Sequence, residues 1–114
     1  MSGKFQLKKS NNGQFHFSLM ASNGQVILSS EHYKAHGSAL SGIESVRKNA
    51  AREDAFEVKN ASNGKHYFVL KATNGQTIGQ SQMYASAHSA ELGCDSVRRH
   101  APEAALQDES VPAA

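Results

Sequence analysis

The chain has 114 residues, 39% apolar and 19% charged, with no Trp and a formal net charge of +2, which suits one polar domain with a modest core and excludes disordered and fibrous classes. No apolar run approaches a membrane span, and the start "MSGKFQLKK" has no apolar stretch behind its charges to act as a signal peptide. The single Cys94 allows neither an internal disulfide nor a cysteine-based zinc cluster, so a cytoplasmic protein is expected.

Shifting the sequence by 51 positions aligns residues 5–50 with 56–101 without a gap, and 20 of the 46 pairs are identical. One unit is therefore written twice. Its first strand carries Phe5 and Leu7, copied as Phe56 and Val58. Asn12-Gly13, Asn23-Gly24, Asn63-Gly64 and Asn74-Gly75 each separate runs of alternating polarity, the signature of hairpins with type I′ turns, and each unit opens as a three-stranded meander. In the middle strands Phe17, Leu19 and Ala21 recur as Phe68, Leu70 and Ala72 while their neighbours change, so the repeated set faces the core, joined by Ile27 and Ile78 in the third strands.

Beyond Tyr33 and Tyr84 the apolar period lengthens to that of a helix. Ala39, Gly42, Ile43, Val46 and Ala50 form one stripe, and Ala90, Gly93, Cys94, Val97 and Ala101 its copy. Ser38 and Ser89 are the predicted N-caps. Arg47 and Arg98 fall in the last turn, where positive charge suits the helix dipole. Gly42 and Gly93 cost helix stability, which points to close packing of helix on sheet. Pro102 ends the second helix. The remaining tail, 102–114, carries Glu103, Asp108 and Glu109 and no basic residue, so residues 1–101 hold 12 basic and 7 acidic groups, or +5. The tail is expected to be disordered.

The predicted fold is α+β: two tandem β-β-β-α units, 5–50 and 56–101, related by a pseudo-two-fold axis, with one shared antiparallel sheet packed on two helices. A single unit of about fifty residues is marginal alone, so residues 1–101 are read as one domain.

"LMASNGQVILSSEHYKAHGSALSGIESVRKNA" and "LKATNGQTIGQSQMYASAHSAELGCDSVRRHA" resemble the repeat of the YegP-like family of small uncharacterised bacterial proteins, with its Asn-Gly turn, Ser-x-x-Tyr segment and Gly-Ile-x-Ser-Val helix. The resemblance covers residues 5–101. It implies β-β-β-α-β units joined in one sheet, with the last strand of each contributed across, and it implies no established reaction or cofactor. The second copy departs from the pattern at Gly79, Gln80, Gln82, Met83 and Cys94.

No catalytic, cofactor-binding or metal-ligating set is assigned. None of the six histidines recurs in the other copy, and His32 and His36, four apart, lack a third ligand at suitable spacing. Cys94 replaces Ile43 and reads as a small core residue. The identical polar pairs Gln25/Gln76, Ser30/Ser81, Tyr33/Tyr84, Ser45/Ser96 and Arg47/Arg98 read as fastenings of helix to sheet, the other reading being two equivalent sites for a small polar ligand. The sheet face turned from the helices is the candidate interaction face, formed by Met20, Val26, Leu28, Tyr67 and Val69 with Lys8, Lys59 and Lys71. It suits a non-enzymatic module that binds a protein or itself. A weak nucleic-acid binder using the same face is the alternative. An enzyme would need one concave site lined by residues that differ between the copies.

Overall fold

The computed structural model describes residues 3–109. Strands β1 (Lys4–Lys9), β2 (Phe15–Met20) and β3 (Val26–Ser30) lead to helix α1 (His36–Asn49), and β4 (Phe56–Asn60), β5 (His66–Lys71) and β6 (Thr77–Gln80) lead to α2 (Ala87–His100). A last strand, β7 (Ala105–Asp108), follows. The sheet order is β4-β5-β6-β3-β2-β1-β7. All ladders are antiparallel except β1 with β7.

The two units meet at the β3–β6 seam, where Ser29 pairs with Gln80. These residues are 51 apart, so the pseudo-two-fold axis passes between them. Both helices lie on one side of the sheet and bury their predicted stripes, Ala39, Gly42, Ile43, Val46 and Ala50 on one and Ala90, Gly93, Cys94, Val97 and Ala101 on the other. Phe5, Leu7, Phe17, Leu19, Phe68 and Leu70 are fully buried in one cluster that draws on both units.

The four Asn-Gly turns exist but are not type I′, which needs positive φ at both central residues. Only the glycines are left-handed, Gly13, Gly24, Gly64 and Gly75, at φ between 82° and 89°. Each hairpin has a three-residue loop closed twice, as in Gly24 N–H to Ala21 C=O (2.9 Å) and Ala21 N–H to Gln25 C=O (2.8 Å). The asparagine holds the turn by accepting the N–H two residues on, at 3.0 to 3.2 Å in all four.

Strict alternation also breaks in the third strands. Leu19 faces Leu28 and Met20 faces Val26, so Ile27 is a bulge residue, and Ile78 repeats it between Leu70–Gly79 and Lys71–Thr77. The extra residue turns Ile27 and Leu28 both toward the helices. Leu28, predicted on the outer face, is therefore fully buried.

The helices begin earlier than predicted, after Ala35 and Ser86. Ser86, not Ser89, caps α2, its hydroxyl accepting from Ser89 N–H at 3.1 Å, and α1 has no side-chain cap. The predicted disordered tail is likewise corrected over its first part. Residues 101–103 form a 3₁₀ turn containing Pro102, and β7 adds to the sheet in parallel on β1, with Phe5 beside Leu106 and Leu7 beside Asp108. Thus the second unit's last strand crosses to the first unit, as the resemblance implied. His36 Nε2 to Asp108 Oδ2, 2.7 Å, ties this strand to the start of α1. Residues 110–114 of the predicted tail lie outside the described residues.

Candidate functional site

Cross-strand register assigns the outer face residue by residue, because paired residues share a side of the sheet. One row runs Gln6, Ser18, Ser29, Gln80, Val69 and Glu57 across six strands. On either side of it, Lys8 pairs with His16 and Lys59 with Tyr67. Lys8 and Lys59 are equivalents, and so are His16 and Tyr67. The face therefore carries the same motif twice, a lysine beside an aromatic ring, about the axis. Along the seam it is indented by a concavity of about 330 Å³ whose lining includes Val26, Ser29, Thr77 and Gln80.

Six of the eight predicted face residues are accessible there. Lys8 is exposed, Val26 is 39% exposed, and Met20, Tyr67, Lys59 and Lys71 are half-buried. Two are not. Leu28 is turned inward by the bulge, and Val69, though on the outer side, is only 4% exposed. Glu57 opposite Val69 and Lys71 two residues along on the same side form an ion pair at 2.5 Å over that stretch of strand. This hydrogen bond and the charges of Lys71 and Lys59 hold the Glu57 carboxyl below its usual range. The predicted face did not include His16 and His32, whose rings lie 5.2 Å apart. Burial, with the charges of His32 and Lys8, pushes the His16 imidazole down, so it favours the neutral form.

The identical polar pairs resolve into structural roles. Ser30 Oγ accepts Phe17 N–H at 2.9 Å and donates to Glu31 C=O at 2.7 Å, bridging the backbone where β3 leaves the sheet, and Ser81 repeats this with Phe68 and Gln82. Tyr33 stacks on Phe17 and Tyr84 on Phe68, each pair at 6.2 Å. Those phenols fill the space that Gly42 and Gly93 leave open: an added Cβ at either would lie 2.5 Å from the Tyr33 or Tyr84 hydroxyl. Arg47 lies over the Phe5 ring and Arg98 over Phe56, at 5.1 and 4.7 Å. The Ser45 carbonyl accepts from Asn49 Nδ2 and the Ser96 carbonyl from His100 Nδ1, at 2.8 and 2.7 Å, so two different residues do one job. Gln25 and Gln76 close their turns through backbone carbonyls.

Cys94 is 4% exposed, and burial pushes its thiol up to about 11, the opposite of an activated nucleophile. Among the described residues no group of three or more His, Cys, Asp or Glu side chains comes together to hold a metal, and no helix is long and apolar enough to cross a membrane.

The model of a domain of unknown function, DUF1508, matches the chain twice, over residues 10–57 and 61–108. The chain belongs to this family. The second match ends at Asp108, so β7 is part of the family's repeat and not an appendage. Similar chains include UPF0339 protein PA0329 of Pseudomonas aeruginosa, 66% identical over 96% of this chain and 100% of that one. UPF0339 protein YegP of Escherichia coli K12 is 51% identical over 95% and 98%. A solution structure of Escherichia coli YegP, described as of unknown function, superposes with a TM-score of 0.92 at 49% identity, covering 99% of this chain and 97% of that one. UPF0339 protein SO3888 of Shewanella oneidensis gives 0.90 at 44%, over 96% and 93%.

Proposed function

We propose that this chain is a non-catalytic binding module whose helix-free sheet face docks on an acidic surface of a partner protein. The observation that carries the reading is the doubled lysine–aromatic motif, Lys8 with His16 and Lys59 with Tyr67, flanking an indented seam with Val26 exposed beside it. Val26 at the seam and the His16 and Tyr67 rings on either side supply contact area, and Lys8 and Lys59 beside those rings supply charge complementarity. Because the lysines recur on both sides of the axis, two copies face to face would oppose like charges, which favours a different partner over self-association. The structural engagement of the repeated polar residues supports a role outside catalysis.

Single-stranded nucleic acid is the second reading, favoured by the same lysine–ring pairs, which could track phosphates and stack bases. A photo-crosslinking amino acid placed at Tyr67 or Val26 in cells tests both. The proposal expects one discrete protein adduct from these positions, none from Leu92 on α2, and loss of the adduct with Lys8→Glu and Lys59→Glu. A nuclease-sensitive adduct would transfer the reading to nucleic acid, and no adduct at either position would reject the face.

A further inference from the structure

We propose that an open cleft between α1 and the β5–β6 hairpin, which adjoins the seam concavity and shares Glu31 and Thr77 with it, is a second binding site, for a small hydroxylated amine of the amino-sugar class. The cleft encloses about 570 Å³, within the range of small-molecule sites. Ser38, Ser41 and Ser45 line one wall. At spacings of three and four residues they share one helix face, over about 10 Å of axial rise. Thr77 and Gln76 line the hairpin wall, and buried Gly42 and Ile78 lie between.

The duplication supplies the control. Where this cleft has Glu31, Ser41 and Thr77, the equivalent positions of the other half hold Gln82, Leu92 and Val26. The same backbone is thus built without the carboxylate or either hydroxyl, so the fold does not demand them. Serine at position 41 is also a poorer helix former than the leucine its copy uses. The shared lining residues have accounts in the core: Tyr33 packs on Phe17, and Ser45 holds Asn49. What distinguishes the lining of this cleft from the equivalent positions of the other half is therefore one charge and two hydroxyls.

Those groups define the ligand's chemistry. Glu31 is the one ionised side chain of the lining, and no Lys, Arg or His lines the cleft. Burial and the Glu31 carboxylate both push the Tyr33 phenol up, so it remains a neutral donor. Anions are disfavoured there. An ammonium group suits Glu31, and neighbouring hydroxyls of a sugar ring suit a wall of serines and threonine, while Ala72 and Ile78 offer apolar contact to ring carbons.

The test is a titration of isotope-labelled protein followed by amide NMR, with glucosamine, N-acetylglucosamine and glucose 6-phosphate as probes. Glucosamine should shift the amides of Ser41, Gly42 and Thr77 saturably, and the N-acetyl form should bind roughly tenfold more weakly for want of its charge. Glucose 6-phosphate should not bind. Glu31→Gln, Ser41→Leu and Thr77→Val each install the residue used by the other repeat, so the remaining spectrum should be unchanged while glucosamine affinity falls, by roughly tenfold in Glu31→Gln. Absence of saturable shifts with glucosamine, equal affinity for the N-acetyl form, or indifference to all three variants would overturn the proposal.

Discussion

Leu28 and Gly79 occupy equivalent positions of the two repeats and compete for one volume beside the pseudo-two-fold axis. A Cβ on Gly79 would lie 2.9 Å from Leu28 Cγ and 3.0 Å from the Ser29 carbonyl oxygen. A true two-fold would bring a leucine from each side, and there is room for one. The duplicated core is therefore completed by breaking its own symmetry.

Gly79→Leu, which restores the repeat, should destabilise by about 1–3 kcal/mol or more through overpacking, and Leu28→Gly by about 2–5 kcal/mol through the cavity it leaves. Because the two sites touch, the double exchange should cost less than the sum, recovering part of the loss. Urea denaturation of the two single variants and the double variant measures the coupling. Additive losses would mean that the two positions do not share space.

Gly42→Ala should lower the melting temperature despite alanine's better helix propensity. The gain is about 1 kcal/mol at most, whereas the new Cβ would stand 2.5 Å from the Tyr33 hydroxyl and 2.9 Å from the Phe17 ring. Removing the hydroxyl with Tyr33→Phe in the same chain should recover part of the loss. A higher melting temperature for Gly42→Ala alone would contradict the packing account.

Cys94 should resist thiol reagents in the native protein and react at once in urea. Its pH dependence follows from the raised thiol: the folded state keeps the proton up to about pH 11, while the unfolded chain releases it near the ordinary thiol value of 9.0. Stability from this group is thus full below pH 9 and declines as pH rises toward 11. Cys94→Ala should flatten that decline, which denaturation curves between pH 8 and 11 would show.

Truncation after Ala104 should destabilise the fold, because it strips β7 from β1 and leaves the backbone edge of β1 open. Hydrogen exchange offers the direct readout: amides of β1 that bond to β7 should lose protection, while those of β5 in the other half change little. His36→Gln should produce a milder version through loss of the 2.7 Å contact with Asp108. Unchanged protection of β1 would mean that β7 contributes nothing to stability.

The pattern of residues alone determined the duplication, the order of strands and helices, and the faces buried by Phe17, Leu19, Ile43 and Val97, because these follow from local periodicity and from chain repetition. Leu28 defeated that reading: one bulge residue, Ile27, reverses the side that every later position faces, and alternation carries no mark of it. The segment Ala105–Asp108 carries no strand pattern of its own, and only the family resemblance implied a last strand; its partner β1, about a hundred residues earlier, supplies the ladder that local composition does not suggest. The cleft was written as three differences between the copies, Glu31 for Gln82, Ser41 for Leu92 and Thr77 for Val26, but only packing α1 against the other unit's hairpin brings those three positions around one space.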